Sequence, residues 1–178
     1  VLTPSGSHYE IGMNCLKNKI NTIVEKPMAM KPKECKNLIK YSKKHQILFG
    51  TIFQNRFNPS IVYVHELIKK GYFGKIVTAN IRLRWARYQE YYLDGWHGTW
   101  KNDGGVINQQ CIHHIDILNM INGPIHEVCS HSLNAINKLE AEDTMTAIFK
   151  FKNNSTGTLE ATTAARPKDI DCLLYTSD

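Results

Sequence analysis

Between His8 and Phe53 the chain switches repeatedly between a helical and a strand-like hydrophobic period, and that alternation restricts the fold more than any other feature. Residues 8–17 carry Tyr9, Ile11, Met13, Cys15 and Leu16, a short helix pattern. Residues 20–25, Ile-Asn-Thr-Ile-Val-Glu, are β-branched and end at Lys26-Pro27, which predicts a strand. Pro32 opens a helix over 32–44, since proline is tolerated in a first turn, and 47–53 return to a buried strand pattern. With a strand stub at Val1-Leu2, this order predicts three parallel strands covered by two helices, an α/β unit.

After Phe53 the style changes. Asn58-Pro59 begins a helix with an apolar stripe at Ile61, Val64, Leu67 and Ile68, stopped by Gly71. A long strand is expected from Lys75 to about Arg87, then an aromatic and glycine-rich loop over 88–104, too long for a plain connector. A helix over 105–121 ends before Asn122-Gly123-Pro124. Three strand-like runs follow at 126–135, 143–152 and 156–165, with a hairpin signal at Asn153-Asn154-Ser155. Consecutive strands after an α/β unit predict a second, α+β domain with a mostly antiparallel open sheet, the boundary lying near residue 54.

The net charge of +6 is local. Residues 1–45 hold nine lysines against Glu10, Glu25 and Glu34, so the whole surplus sits there. Between Lys31 and Lys44 the lysines interleave with Cys35, Leu38 and Ile39, the pattern of a solvated helix face. Nucleic-acid binding would want arginines and stacking aromatics in that run, which offers only Tyr41. No uncharged apolar run approaches the length of a membrane span. Five cysteines without a close pair indicate neither a disulfide frame nor a zinc ribbon, and a reducing, cytoplasmic setting is expected. The opening Val1-Leu2-Thr3-Pro4 has no initiator methionine, so the chain reads as entered midway.

Two places carry chemistry. On the helix over 105–121, Ile107, Cys111, Ile115 and Leu118 share one face, while Gln109, His113 and Asp116 share another. His113 and His114 point about 100° apart on a helix and do not chelate one ion, so no metal site is expected. His113 suits a general base, although a lone histidine at such a position is also an ordinary structural residue. Glu25-Lys26-Pro27 ends a strand at the carboxyl edge of the sheet, where ligands bind in open α/β folds. Lys26 there can meet a substrate hydroxyl, or simply be a solvated strand-end lysine.

Thr3-Pro4-Ser5-Gly6-Ser7-His8, Glu25-Lys26-Pro27, Asn55-Arg56-Phe57-Asn58-Pro59 and Gly104-Gly105 leading to His113-x-x-Asp116 resemble, in order and spacing, the Gfo/Idh/MocA oxidoreductases. The resemblance implies that residues 1–53 are the C-terminal half of an NAD- or NADP-binding Rossmann domain, and that 54–170 form an incomplete substrate domain. It implies Lys26 and His113 as catalytic residues, with a cis bond between Lys26 and Pro27. It implies Thr3, Pro4, Ser5, His8, Glu25, Lys26 and Arg56 at the cofactor.

Arg82-Leu83-Arg84-Trp85-x-Arg87, Tyr91-Tyr92, Trp96-His97-Gly98-Thr99-Trp100 and Asp103-Gly104-Gly105 resemble one subgroup, the UDP-N-acetyl-2-amino-2-deoxyglucuronate dehydrogenases, which oxidise a sugar C3 hydroxyl. Substrate contacts are then expected from Lys26, Arg87, Tyr91, Trp96, Gln109 and His113. Of the two arginines in this run, Arg87 should face the pocket and Arg84 support the sheet or an oligomer contact. The partners implied are a nucleotide sugar and, through the C-terminal sheet, further copies of the chain, with neither nucleic acid nor membrane.

There are departures from the pattern. The Gly-x-Gly-x-x-Gly fingerprint does not occur in these 178 residues. Gln109 stands where many relatives carry aspartate, and Cys111 where glycine is usual. Residues 171–178 do not resemble the family's continuation and are expected to be a non-native tail. Two other expectations therefore stand beside the nucleotide-sugar dehydrogenase: a dehydrogenase of another sugar or cyclic polyol, and a fragment that is inactive because it cannot bind cofactor.

Overall fold

The computed structural model describes residues 1–166; the tail expected over 171–178 lies outside them. Helix α1 (His8–Lys17) follows a 3₁₀ turn at Ser5–Ser7, and strand β1 is Thr22–Val24. Helix α2 (Pro32–His45) has its proline at the first turn and closes on Gln46 in the left-handed conformation, with φ of 56°. Strand β2 (Phe49–Thr51) pairs parallel with β1, Ile23 opposite Gly50. Leu16, Leu38 and Ala29 fill the core of this unit, with Tyr9, Met13 and Phe49 packed against it. The two fully enclosed leucines each contribute about 1.5–3 kcal/mol by leaving water.

Two strands form here, not the three expected. Val1 lies beside β1, its amino group donating to Ile23 O at 2.6 Å and its carbonyl accepting from Glu25 N–H at 3.0 Å. One residue cannot extend a ladder. The expected Ile20–Glu25 and Ile47–Phe53 strands shorten for the same reason, because their ends have no neighbour to pair with.

Beyond a 3₁₀ turn at Gln54–Phe57, helix α3 (Pro59–Lys69) is capped by Asn58, whose side chain accepts from Ser60 N–H. A four-stranded sheet follows, of β3 (Thr78–Arg84), β4 (Ile125–Leu133), β5 (Thr144–Phe151) and β6 (Thr156–Thr162), in the order β3-β6-β5-β4. The β4–β5 and β5–β6 pairs are antiparallel and β3–β6 is parallel. One sheet face buries Ile81, Leu83, Ala147, Phe149, Phe151, Leu159 and Ala161 against helix α4 (Ile112–Asn122), which brings Cys111 and Leu118 into the same core.

The helix expected over 105–121 is not uniform. Its first turn, Ile107–Cys111, is a π-helical turn that buries Gln109, Gln110 and Cys111, and regular α-helix begins only at Ile112. A π turn takes in an extra residue, which lets two adjacent amides be enclosed at once. Its amino end is held from outside. Glu142 accepts from Ile107 N–H through Oε1 at 3.1 Å, and its carbonyl accepts from Val106 N–H at 3.0 Å. Gly105 has φ of 75°, and a Cβ there would run into the Glu142 carboxylate. Gly105→Ala should therefore lower unfolding stability by about 1–3 kcal/mol, from left-handed strain and displacement of Glu142. Gly50→Ala, which enters open space, is the reference. Urea midpoints of the two variants check this.

Candidate functional site

The segment after β2 meets helix α4, and the carboxyl end of β1 meets the π turn that precedes it. There the Lys26 ammonium donates to Gln109 twice, to the backbone carbonyl at 2.7 Å and to the side-chain Oε1. Gln109 lies one helical turn before His113, so this contact brings Lys26 and His113 into one neighbourhood. Lys26 is half-buried. Burial pushes its pKa down, while the carboxylates of Glu25 and Asp103 pull it back up. Burial also lowers His113, helped by the positive field of Lys26 and by His114. The His113 ring meets Phe53 edge-on with centroids 6.0 Å apart, and its Nδ1 is buried with no hydrogen-bond partner among the described residues. That is a neutral imidazole with a vacant lone pair or N–H beside a cation.

The motif residues around this point divide into an open edge and a hidden frame. Thr3 and Pro4 are exposed and Glu25 is half-buried, its carboxylate accepting from Lys26 N–H at 3.0 Å. The peptide between Lys26 and Pro27 is cis, as the resemblance implied. Ser5 and His8 are enclosed. The His8 ring nitrogens lie 2.7 Å from Pro27 O and 2.8 Å from Thr3 O, so the ring clasps the two loops together and does not face the cleft. Gly6 permits a close approach, since a Cβ there would overlap the side chain of Asn102. Arg56 is held by Asp116 in a two-pronged ion pair at 2.5 and 2.6 Å, and its guanidinium lies 5.6 Å from the Phe53 ring. It braces the segment after β2 against α4, on the same face as His113 and nearly one turn beyond it.

The loop expected over 88–104 stacks its own rings. Arg87 sits 4.9 Å from Trp85 and 5.2 Å from Tyr91. Tyr91 stacks on His97 at 4.2 Å, and His97 on Trp96 at 3.6 Å. Asp94 fixes this ladder by accepting from the N–H groups of Trp96 and His97 and pairing with His97 Nδ1 at 2.6 Å. Arg87, Tyr91 and Trp96, expected from the sequence at the substrate, thus form one stack with Trp85 and His97. Burial raises the Tyr91 phenol, and Asp103 adds to it. Tyr92 instead points inward to Thr163 Oγ1 at 2.8 Å, its phenol pushed up to about 12 by burial. Arg84 turns away from this site to Glu160, at 2.8 Å through Nε and 2.7 Å through Nη2.

Asp94 belongs to none of the motifs read from the sequence, and His97 and Asp103 stand in theirs without an assigned role. The signal for Asp103 was present as an acidic residue directly before two glycines of positive φ. If Lys26 depresses His113, Lys26→Met should move the His113 titration to higher pH, because a nearby positive charge is removed. Imidazole NMR shifts followed against pH check this; an unmoved midpoint would mean the two groups do not share a field.

Residues 1–53 match a family model described as an oxidoreductase family, NAD-binding Rossmann fold, and residues 61–178 match the GFO/IDH/MocA C-terminal domain. The WlbA dehydrogenase of Bordetella pertussis, solved with NADH and UDP-GlcNAcA, superposes with a TM-score of 0.92 at 29% identity, covering 96% of this chain and 49% of that one. Its counterpart from Chromobacterium violaceum, also with NADH and UDP-GlcNAcA, gives 0.92 at 30% identity over 95% and 49%. The 2,7-anhydro-N-acetylneuraminate hydratase of Escherichia coli is 28% identical over 71% of this chain and 34% of its own length. The chain therefore spans half or less of the length of these relatives. It belongs to the Gfo/Idh/MocA oxidoreductase family.

Proposed function

We propose that this chain carries the catalytic pair and sugar pocket of an NAD(P)-dependent dehydrogenase that oxidises the C3 hydroxyl of a UDP-N-acetylated uronic acid. The observation that supports it is the Lys26–Gln109 contact, which brings an ammonium into the neighbourhood of a half-buried imidazole whose Nδ1 has no hydrogen-bond partner among the described residues, at the carboxyl edge of the β1–β2 sheet. The donor set fits the nicotinamide end of a dinucleotide. Thr3, Pro4 and Glu25 offer the open edge, and Ser5, His8 and Arg56 hold the loops that shape it. When bound, the dinucleotide supplies a hydride acceptor.

The chain's own residues do the rest. An ammonium has three N–H groups, and Lys26 gives two to Gln109, leaving one for the substrate hydroxyl oxygen. That contact favours the developing alkoxide. His113, held neutral by burial and by Lys26, accepts the hydroxyl proton. Gln109 orients Lys26 but takes no proton, since an amide does not titrate. Arg87 presents its charge for the sugar carboxylate, flanked by Trp85 and Tyr91, and Trp96 offers a ring face at the end of the same stack.

Assays need the protein with a complete nucleotide-binding half. Lys26→Ala and His113→Ala should each cut turnover on UDP-GlcNAcA by about 100-fold or more, with much smaller changes in NAD affinity. Near-normal turnover in His113→Ala would place the base elsewhere. Arg87→Ala should weaken use of the uronate by about 10- to 100-fold, and use of the matching neutral hydroxymethyl sugar far less. Equal losses on both substrates would mean that Arg87 binds the diphosphate or only holds the fold, and the uronate assignment would lose its best physical support.

A further inference from the structure

Arg87 is the residue on which the uronate reading turns, and its backbone is anchored on both sides of Cα. Its N–H donates to Thr163 O at 2.7 Å. Its carbonyl accepts from two side chains, Asn137 Nδ2 at 3.1 Å and Arg166 Nη2 at 3.1 Å. Arg166 Nη2 also reaches Asn137 Oδ1 at 3.4 Å, so the two donors hold each other. Peptide groups are planar. With the one before Arg87 and the one after it both held, φ and ψ are set, and with them the direction in which Cβ leaves the chain. Only side-chain rotation remains. The rings of Trp85 and Tyr91, 4.9 and 5.2 Å from the guanidinium, and the bond from Nη1 to Ala86 O at 3.2 Å confine that.

Asn137 is itself set firmly. It is 5% exposed and lies in the connection between β4 and β5. The enclosed Asp143 gathers three consecutive N–H groups of that connection. Its Oδ1 accepts from Ala135 at 2.7 Å, and its Oδ2 from Ile136 and Asn137 at 3.2 Å each. Thr144 Oγ1 adds a fourth donor at 2.9 Å. Bonds to a carboxylate are among the stronger kind. The Asp143 carbonyl also accepts from Thr163 N–H at 2.8 Å. Asp143 thus fixes both anchors, the strand residue that receives the Arg87 N–H and the amide that meets the Arg87 carbonyl. The same grip continues past Arg87, where Lys138 N–H donates to Gln89 Oε1 at 2.8 Å and the Arg166 guanidinium lies 4.1 Å from the Tyr88 ring.

We infer that Asn137 is a positioning residue for Arg87: with Arg166 beside it and Asp143 behind it, its amide fixes the Arg87 backbone so that the guanidinium is presented from between Trp85 and Tyr91 to an anionic substrate group. The role of Arg87 toward a sugar carboxylate rests on the proposed function; its positioning by Asn137 does not. No contact of Asn137 with substrate is required, and it moves no proton. Selectivity for an acidic sugar is then set in part from the β4–β5 connection, 50 residues beyond Arg87 in sequence.

The first test reads Arg87 directly, by the NMR signal of its side-chain Nε–H in the full chain, assigned by its loss in Arg87→Lys. Beside two aromatic rings that signal is displaced from the usual arginine position. Asn137→Ala removes the amide donor and keeps the backbone N–H for Asp143. In this variant the signal should move by about half or more of its displacement toward the usual position, and its order parameter should fall. A folded Asn137→Ala protein with an unmoved signal would overturn the inference, because an amide that only satisfies a carbonyl does not aim the side chain. Should Asn137→Ala fail to fold, the isosteric Asn137→Asp decides on the same signal, since its carboxylate pairs with Arg166 but cannot donate to the Arg87 carbonyl. The second test needs a complete nucleotide-binding half. Asn137→Ala should lower kcat/KM on UDP-GlcNAcA by about 3- to 10-fold, mainly through KM, and leave the neutral hydroxymethyl sugar within about twofold. In an Arg87→Ala background it should add nothing further. Equal losses on both substrates would overturn the selectivity role, because a loop brace weakens both alike. A moved Nε–H signal in a protein whose uronate use Arg87→Ala spares would fail the proposed function and leave the positioning of Arg87 standing.

Discussion

The contact of Lys26 Nζ with Gln109 spans 83 residues of sequence, and the site exists only because of it. Lys26 ends a strand of a two-stranded parallel sheet; Gln109 begins a helix that packs on a different, four-stranded sheet. Neither unit alone brings a cation to an imidazole. The π turn matters at this junction. By enclosing Gln109 and Gln110 together it offers Lys26 both a main-chain and a side-chain oxygen of one residue, then hands over to regular helix in time to present His113 and Asp116. Asp116 uses that regularity to grip Arg56, so the same helix is tied to the ends of both short strands.

The helices were legible because their signals are local. Pro32 at the start of α2, Asn58-Pro59 at the start of α3 and the apolar spacing of residues 8–17 each act within a few residues. The antiparallel order of β4, β5 and β6 was legible from Asn153-Asn154-Ser155, which forms the β5–β6 turn with Asn154 at φ of 65°. The lengths of β1 and β2 were not, because a strand's extent is set by its neighbours and not by its own β-branched residues. The π turn was not legible either, since Ile107, Cys111, Ile115 and Leu118 satisfy an α-helical period whether or not the first turn is widened. Only the two consecutive amides at its centre hint at it.

The two arginines of the Arg84-to-Arg87 run show how a small backbone event sorts side chains of the same type. Along β3 the pleat puts Arg82 and Arg84 on one face, where both reach Glu160 of β6, directly across from Arg82 in register. After Arg84 the regular ladder stops, and pairing goes on irregularly, with Trp85 N–H donating to Thr162 O, Arg87 N–H to Thr163 O and Ala86 bridging Ala164. Arg87 thus keeps its backbone at the sheet while its side chain turns away. It enters a stack of rings that the period-2 rule does not describe, and alternation alone would have given the right faces for the wrong reason. The resemblance had supplied the residue types at the pocket; the ladder from Trp85 through His97 to Trp96 depends on Asp94, whose role no spacing rule announces.

The long loop that carries this stack is also the second bond between the two sheets. Gly98 accepts from the N–H groups of Glu140 and Ala141 at 3.1 and 2.9 Å, and donates its own N–H to Asp103. Asn102 lies against Gly6, so the loop rests at one end on the segment entering β5 and at the other on the turn before α1. Asn108 continues the path, donating to Asp103 O and reaching Met30 Sδ at 3.6 Å. The groups that share the field of Lys26 therefore come from three places: the β1 edge, this loop, and the π turn with its helix. Their charges are coupled in space because their backbones are braced in series. Displacing the loop would break the Gly98–Asp103 and Asn108–Asp103 hydrogen bonds and lift Asn102 off Gly6 in the same movement, so the two sheets lose their common brace together.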